Sequence, residues 1–205
     1  MSGIAGLLLT GGSSRRLGVD KATLILDGET LAARAERLLT DRCSEVVEVG
    51  PGVTSLRAVR ETPEGGGPLA ALVAGANAFG EFETDPSSGL LILLACDLPW
   101  VAPVLDALVA APPHVEIVVP IDEDGRRQYV CARYGPRAVA AAATLLEGGE
   151  QSLHALVTSI DDVLEVGGFA VGVFADIDVP DDARRAGIEL TIPARAAAPD
   201  RAANR

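Results

Sequence analysis

Residues 4–21 read Ile4-Ala5-Gly6-Leu7-Leu8-Leu9-Thr10-Gly11-Gly12-Ser13-Ser14-Arg15-Arg16-Leu17-Gly18-Val19-Asp20-Lys21. An apolar run that stops at a glycine pair is the pattern of a strand buried on both faces, as strands in parallel sheets are. Behind it stand glycines, two hydroxyls, two arginines and a lysine. Glycine lets backbone N–H groups approach an anion without a Cβ in the way, arginine offers a planar fork, and lysine a point charge. The combination suits a nucleotide triphosphate. A Walker A loop is excluded, because Val19-Asp20 separates Gly18 from Lys21, and no GxGxxG dinucleotide fingerprint is present.

Beyond this block, strand and helix patterns alternate. Thr30 is placed to cap a helix whose apolar positions Leu31, Ala35, Leu38 and Leu39 share one face. Val46 to Val49 reads as a strand closed by Gly50-Pro51-Gly52, and Gly67 to Phe79 as an alanine-rich helix opened by Pro68. Leu90 to Ala95 is the most apolar strand, followed by a helix from Pro103 to Ala111, a strand from Glu116 to Pro120 and a polar turn at Asp122 to Gly125. The spacing predicts a strand over Arg127 to Tyr134, helices over Pro136 to Leu146 and Gln151 to Val157, a last strand over Phe169 to Phe174 and a short helix after Pro180. The expected fold is α/β, three-layered, with a mostly parallel twisted sheet and helices on both faces, where ligands sit beyond the carboxyl ends of the strands.

Composition sets the outer limits. A chain of 205 residues and 21.1 kDa, 48% hydrophobic and 22% charged, fits one domain with a full-sized core, expected over residues 1–192. The net charge of −12 opposes sequence-independent nucleic-acid binding. No apolar run approaches the roughly 20 residues of a membrane span, and the charge order around Ile4 to Leu9 is the reverse of a secretory signal, so the reading is cytoplasmic. Three cysteines, Cys43, Cys96 and Cys131, are odd in number and far apart, which argues for reduced core residues. His114 and His154 lack metal-ligand spacing. Asp97, at the end of the most apolar strand, is a hard oxygen donor of the kind Mg2+ uses together with substrate phosphates and water. Asp176 and Asp178 mark a second strand end, while Asp181 and Asp182 complement the dipole of the last helix.

The block LTGGSSRRLGVDKATL is similar to the signature LxGGxSxRMGxDKxxL of the molybdenum cofactor guanylyltransferases and the wider MobA-like nucleotidyltransferases. Leu17 for Met is a volume-conserving departure. GGGPLAAL at Gly65 to Leu72 resembles the family's GPLAG loop, with Ala71 for its last Gly, and LLACDLPWV at Leu93 to Val101 its LxxCDMPF block. GRRQYVCARY at Gly125 to Tyr134 is similar to DGRxQPLxAxY, with Tyr129-Val130 for Pro-Leu, and FADIDVPDD at Phe174 to Asp182 to FxNINTPED, with Asp176 and Asp178 for two asparagines. Five blocks in order span about residues 4 to 187.

The resemblance implies a Rossmann-like nucleotidyltransferase fold and transfer of GMP from GTP to molybdenum-bound molybdopterin, with pyrophosphate released. It implies Lys21, Arg16 and Asp97 as catalytic, with Asp97 on Mg2+. It implies Leu9, Thr10, Gly11, Gly12, Ser13, Arg16, Lys21, Gly67, Pro68 and Leu69 at the nucleotide, and Asp176 and Asp178 at metal or pterin. GTP and molybdenum-molybdopterin are the implied partners, with transient contact to molybdopterin-delivery proteins or molybdoenzymes and none to nucleic acid or membrane. Within the resemblance, paired glycines such as Gly11-Gly12 and a GPLAG-like loop accompany guanine. CMP transfer to molybdopterin, nucleotidyl transfer to another phosphorylated metabolite, and a catalytically silent nucleotide-binding regulator are the alternatives; Lys21, Arg16 and Asp97 kept together argue against the last.

The tail from Pro193 carries no large apolar side chain, so burial cannot repay its ordering and it is expected to be disordered. Removing residues 193–205 is therefore expected to leave Tm and turnover unchanged. A stability loss above about 1 kcal/mol, the scale of one helix cap, would show that the tail docks.

Overall fold

The computed structural model describes residues 3–11, 20–80 and 89–176. In chain order these comprise β1 (Ile4–Leu9), a 3-10 turn (Lys21–Thr23), β2 (Ile25–Leu26), β3 (Glu29–Thr30), α1 (Leu31–Thr40), β4 (Val46–Val49), β5 (Arg57–Val59), α2 (Gly67–Asn77) and β6 (Leu90–Ala95). Then follow α3 (Ala102–Ala110), β7 (Ile117–Pro120), β8 (Cys131–Tyr134), α4 (Pro136–Glu147), α5 (Leu153–Ser159) and β9 (Val163–Val166).

The main sheet has seven strands in the order β5-β4-β1-β6-β8-β7-β9, and all but β8 run the same way. β2 and β3 form a separate antiparallel hairpin. Side chains alternate across the sheet with the strand period of two. Leu90, Ile92 and Leu94 join Ile4 and Leu8 in a core with α1 and α3, while Leu91 and Leu93 join Leu7 in a second core with α2, α4 and α5. Helices thus cover both faces, as three layers require. Local choices agree with this arrangement. Thr30 Oγ1 accepts the Ala33 N–H at 3.1 Å to open α1, and Pro68 sits in the first turn of α2. Gly75 lets α2 lie against β1 and β4, since a Cβ there would come within 2.6 Å of Leu7 and 2.9 Å of Val49.

Two expected strands differ. Over 127–134 only Cys131–Tyr134 is extended, and Arg127 makes just an isolated bridge with Ile121. The cause is Asp122, whose carboxylate accepts the N–H groups of Asp124 and Arg126 and the Gln128 amide, bending the chain before it can pair. Residues 169–174 form turns rather than a strand. Gly168 and Gly172 have φ of 84° and 83°, and the Phe169 and Phe174 rings meet edge to face at 5.7 Å. The sheet edge is supplied instead by β9, paired with β7. The helix expected after Pro180, and the tail, lie outside the described residues.

Arg133, in β8, is 0% exposed yet ionisable. Its guanidinium donates to the carbonyls of Leu108 (3.1 Å), Ala111 (2.8 Å), Pro112 (2.6 Å) and Val115 (3.4 Å), capping the carboxyl end of α3. Burial lowers its pKa, whereas the helix terminus favours a cation. Arg133→Met is expected to lower stability by about 2–4 kcal/mol, because buried carbonyls lose their donors. Urea denaturation measures this, and a loss below about 0.5 kcal/mol would mean that water replaces the guanidinium at no cost.

Candidate active site

Strand register creates the site. Leu9 lies beside both Val49 and Ala95, so β1, β4 and β6 end at one edge and release their loops together. β4 and β6 flank β1 on opposite sides, which is the topological switch where α/β sheets open a crevice. A cleft of about 830 Å3 lies there. Its floor is Leu9 at the end of β1 with Thr10 and Gly11 beyond it, Gly50 and Pro51 after β4, and Ala95 at the end of β6 with Cys96 and Asp97 beyond it. One wall comes from Asp20, Lys21 and Ala22, the other from Arg60, Glu61, Glu64 and Gly65 together with Gly67, Pro68 and Ala71 at the start of α2; Val49 and Val130 complete the described lining. Gly67 has φ +83°, a left-handed conformation that a side chain would strain, and it turns the chain into α2 at the cleft mouth.

Lys21 and Asp97 are brought together from opposite parts of the chain. Asp20 Oδ1 accepts the Ala22 N–H at 3.1 Å and so caps the 3-10 turn that carries Lys21. Lys21 Nζ then donates to Asp97 Oδ2 at 3.0 Å, with the side chains 20% and 24% exposed. Both polar heads therefore face the cleft while partly screened from water. Among the described lining residues Asp20, Glu61, Glu64 and Asp97 stand against Lys21 and Arg60, so a polyphosphate would need additional cations to enter. Burial, aided by Asp97 and Asp20, pushes the Cys96 thiol up to about 12, which removes it as a nucleophile at neutral pH.

Glu48 is the feature that sequence reasoning missed. It lies within β4 and is 0% exposed. Its Oε1 accepts from the Thr10 hydroxyl, from Gly52 N at 2.8 Å and from Val53 N at 3.0 Å. Its Oε2 accepts from Val53 N at 3.1 Å, Thr54 N at 2.9 Å and Thr54 Oγ1 at 2.6 Å. Burial alone would raise its pKa, but these hydrogen bonds together outweigh it and hold the carboxyl at about 2. The signal was present as a charged residue among valines in Val46-Val47-Glu48-Val49, just before Gly50-Pro51-Gly52. Gly50 belongs to the same device. A Cβ there would fall 2.1 Å from Thr10 Oγ1, so only glycine lets the two strand ends touch.

Of the residues singled out from sequence, Leu9, Thr10, Gly11, Lys21, Gly67, Pro68 and Asp97 all line the cleft. Leu69 points instead into the core beside α2 and is fully buried. Asp176 is exposed and is not among the described lining residues. Gly12, Ser13, Arg16 and Asp178 lie outside the described residues. Arg60, Glu61 and Glu64 were not anticipated, because β5 is only three residues long and leaves no periodicity to place the loop after it.

A mostly parallel sheet with a lysine and a carboxylate meeting at its switch point places the protein in the α/β class that binds ligands beyond the carboxyl ends of its strands. The chain belongs to the MobA-like NTP transferase domain family, whose model matches residues 6–163, and is accordingly a nucleotidyltransferase. It is 34% identical over 168 residues to a probable molybdenum cofactor guanylyltransferase of Mycobacterium avium (strain 104), covering 77% of this chain and 82% of that protein. Its fold resembles that of molybdopterin-guanine dinucleotide biosynthesis protein A from Archaeoglobus fulgidus, with TM-score 0.69, 20% identity and coverage of 89% and 96% of the two chains. It also resembles Rv0371C of Mycobacterium tuberculosis H37Rv in complex with manganese, with TM-score 0.64, 20% identity and coverage of 89% and 96%.

The depressed pKa of Glu48 has a signed consequence. A carboxylate lowered from 4.5 to about 2 contributes stability that is fully present above about pH 4.5 and is lost as pH falls from there toward 2. The contribution at neutral pH is about 3 kcal/mol. Denaturation of wild type and Glu48→Gln across this window should show their difference in stability shrinking as the pH drops. Parallel profiles would contradict the assignment.

Proposed function

We propose that the cleft transfers GMP from GTP to the terminal phosphate of molybdenum-bound molybdopterin, releasing pyrophosphate and forming the guanine dinucleotide cofactor. The observation that carries this reading is the Lys21–Asp97 pair at the β1/β6 switch point, in a chain whose relatives include a probable molybdenum cofactor guanylyltransferase. The nucleophile belongs to the acceptor, whose phosphate oxygen attacks the α-phosphorus in line while the bond to the pyrophosphate oxygen breaks. The protein positions the reactants and neutralises charge, and needs no covalent intermediate.

Lys21, with the backbone of Gly11 and Gly12, Ser13 and Arg16, holds the triphosphate and the pyrophosphate leaving group. Gly67 and Pro68, with Ala71, face the base, and Leu69 holds their loop from the core side. Asp176 and Asp178 are assigned to the metal or pterin side. The donor set suits Mg2+, since Asp97, at the end of β6, offers one carboxylate and leaves the rest of the ion's shell to phosphate and water oxygens. Such an ion supplies charge neutralisation of the phosphates. The manganese complex of the structural neighbour supports divalent metal use. We place the reaction in the cytoplasm and in residues 1–192; no described helix is long and apolar enough to cross a membrane. CMP transfer is the second reading, because the Ala71 methyl occupies cleft wall where the resembling loop carries glycine.

Lys21→Ala and Asp97→Ala should each cut turnover by about a hundredfold or more with the circular dichroism spectrum unchanged, the range for loss of one preorganised electrostatic group. Near-normal turnover in folded Asp97→Ala would remove it from the metal role. Equimolar GTP, CTP and ATP competing for molybdopterin acceptor should give the guanine dinucleotide, since a site pairing the guanine N1–H, N2–H and O6 groups leaves its own polar groups unmatched by the other bases. A cytosine dinucleotide as main product overturns the guanylyl assignment, and no NTP consumption with verified acceptor overturns the transferase assignment as well.

A further inference from the structure

We propose that Glu48 is a positioning residue for nucleotide binding, a buried carboxylate that ties loop residues 52–54 to Thr10 and thereby holds two parts of the cleft floor relative to each other. The inference rests on the nucleotidyltransferase reading above. Glu48 itself does not line the cleft, whereas Thr10, bonded to its carboxylate, and Gly50 and Pro51, which lead into the bonded loop, do. The strand does not depend on Glu48 for its place, because β4 is paired on both sides, with β1 and with β5. The far end of the loop is also secured separately, by Ser55 bonded to Glu36 of α1. What the carboxylate alone joins is the stretch from Gly52 to Thr54 and the Thr10 hydroxyl.

The chemistry requires a carboxylate. Both oxygens face donors only: hydroxyl and amide on Oε1, amides and hydroxyl on Oε2. Glutamine would turn an N–H2 toward one of these donor sets, so the loop or Thr10 would have to swing away. Because Gly50 N is held by Val59 O and Thr10 N by Val49 O, either movement is taken up at Pro51, next to the tied Gly52, and at the Thr10 hydroxyl, both at the cleft, while Lys21 and Asp97 lie on other loops. Loss of Glu48 should therefore weaken nucleotide binding more than it slows the chemical step.

The test is steady-state kinetics of the full chain with Mg2+ and molybdopterin acceptor, using whichever NTP wild type consumes best, on Glu48→Gln, Thr54→Val and the double variant. Thr54 lies outside the cleft lining, and its hydroxyl donates to Glu48 and accepts the Leu56 N–H, neither of which lines the cleft, so its removal tests the Glu48 anchor without touching a lining residue. Glu48→Gln is expected to raise the nucleotide KM about tenfold while kcat stays within about twofold, the pattern of lost binding without lost transition-state stabilisation. Thr54→Val should raise KM about threefold, and the double variant should be no worse than Glu48→Gln, since linked residues are non-additive. Val118→Ala, at a fully buried position in β7 that makes no contact with Glu48's partners, is the control for general destabilisation. An unchanged KM in folded Glu48→Gln and Thr54→Val, or an equal KM rise in Val118→Ala, overturns the proposal and leaves the transferase reading standing. If Glu48→Gln does not fold, the KM of Thr54→Val decides. Absence of turnover by wild type with GTP, CTP and ATP overturns both.

Discussion

The parallel pairing of β1 with both β4 and β6 is the constraint on which the rest depends. Register places Leu9, Val49 and Ala95 in one row, and a slip by two residues would carry Thr10 away from Asp97 and Gly50 alike. That register is secured by burial on both faces, because alternate residues of β1 and β6 enter different cores. Two layers of helices thus hold three loops at one edge, and only the loops carry polar groups to be used. Lys21 reaches Asp97 because the 3-10 turn that precedes the β2–β3 hairpin lies at this edge.

Buried polar groups mark where the fold is most strongly specified. Arg133 closes the carboxyl end of α3, and Glu116 serves the opposite role for α4, accepting the Ala138 N–H at 3.0 Å beside Gly135 and pairing with Arg137 at 2.9 Å. Each charge sits at the helix end whose partial charge it complements. Both act away from the cleft. Glu48 is the corresponding group at the cleft edge, and its partners are loop amides and hydroxyls rather than a helix end. An interior carboxylate that satisfies a loop rather than a helix is a reason to look for a ligand beside that loop.

Much of this was legible in the sequence, for physical reasons that also explain the rest. Ile4–Leu9 and Leu90–Ala95 are unbroken apolar runs, too short for a typical buried helix and followed by turn residues, which is the pattern of strands buried on both faces. α1 declares itself through Thr30 and a one-sided apolar face, and α2 through Gly67-Pro68. β5 and the hairpin strands are three and two residues long, too short for any period to register. Residues 169–174 are apolar enough to suggest a strand, yet glycines in the left-handed region fold them into turns whose aromatic rings pack back on the core. Lys21 and Asp97 could be nominated separately from their motifs, but their meeting is tertiary. Glu48 was hidden because a charged residue in a strand ordinarily faces water, and nothing local announces that a loop six residues on will enclose it.

The most direct measurement is a crystal structure of the protein with GTP and Mg2+. Triphosphate oxygens are expected within hydrogen-bonding distance of Lys21 Nζ, the metal on Asp97, and the base against Gly67, Pro68 and Ala71. Nucleotide bound elsewhere on the molecule, with this cleft filled by solvent, would contradict this placement.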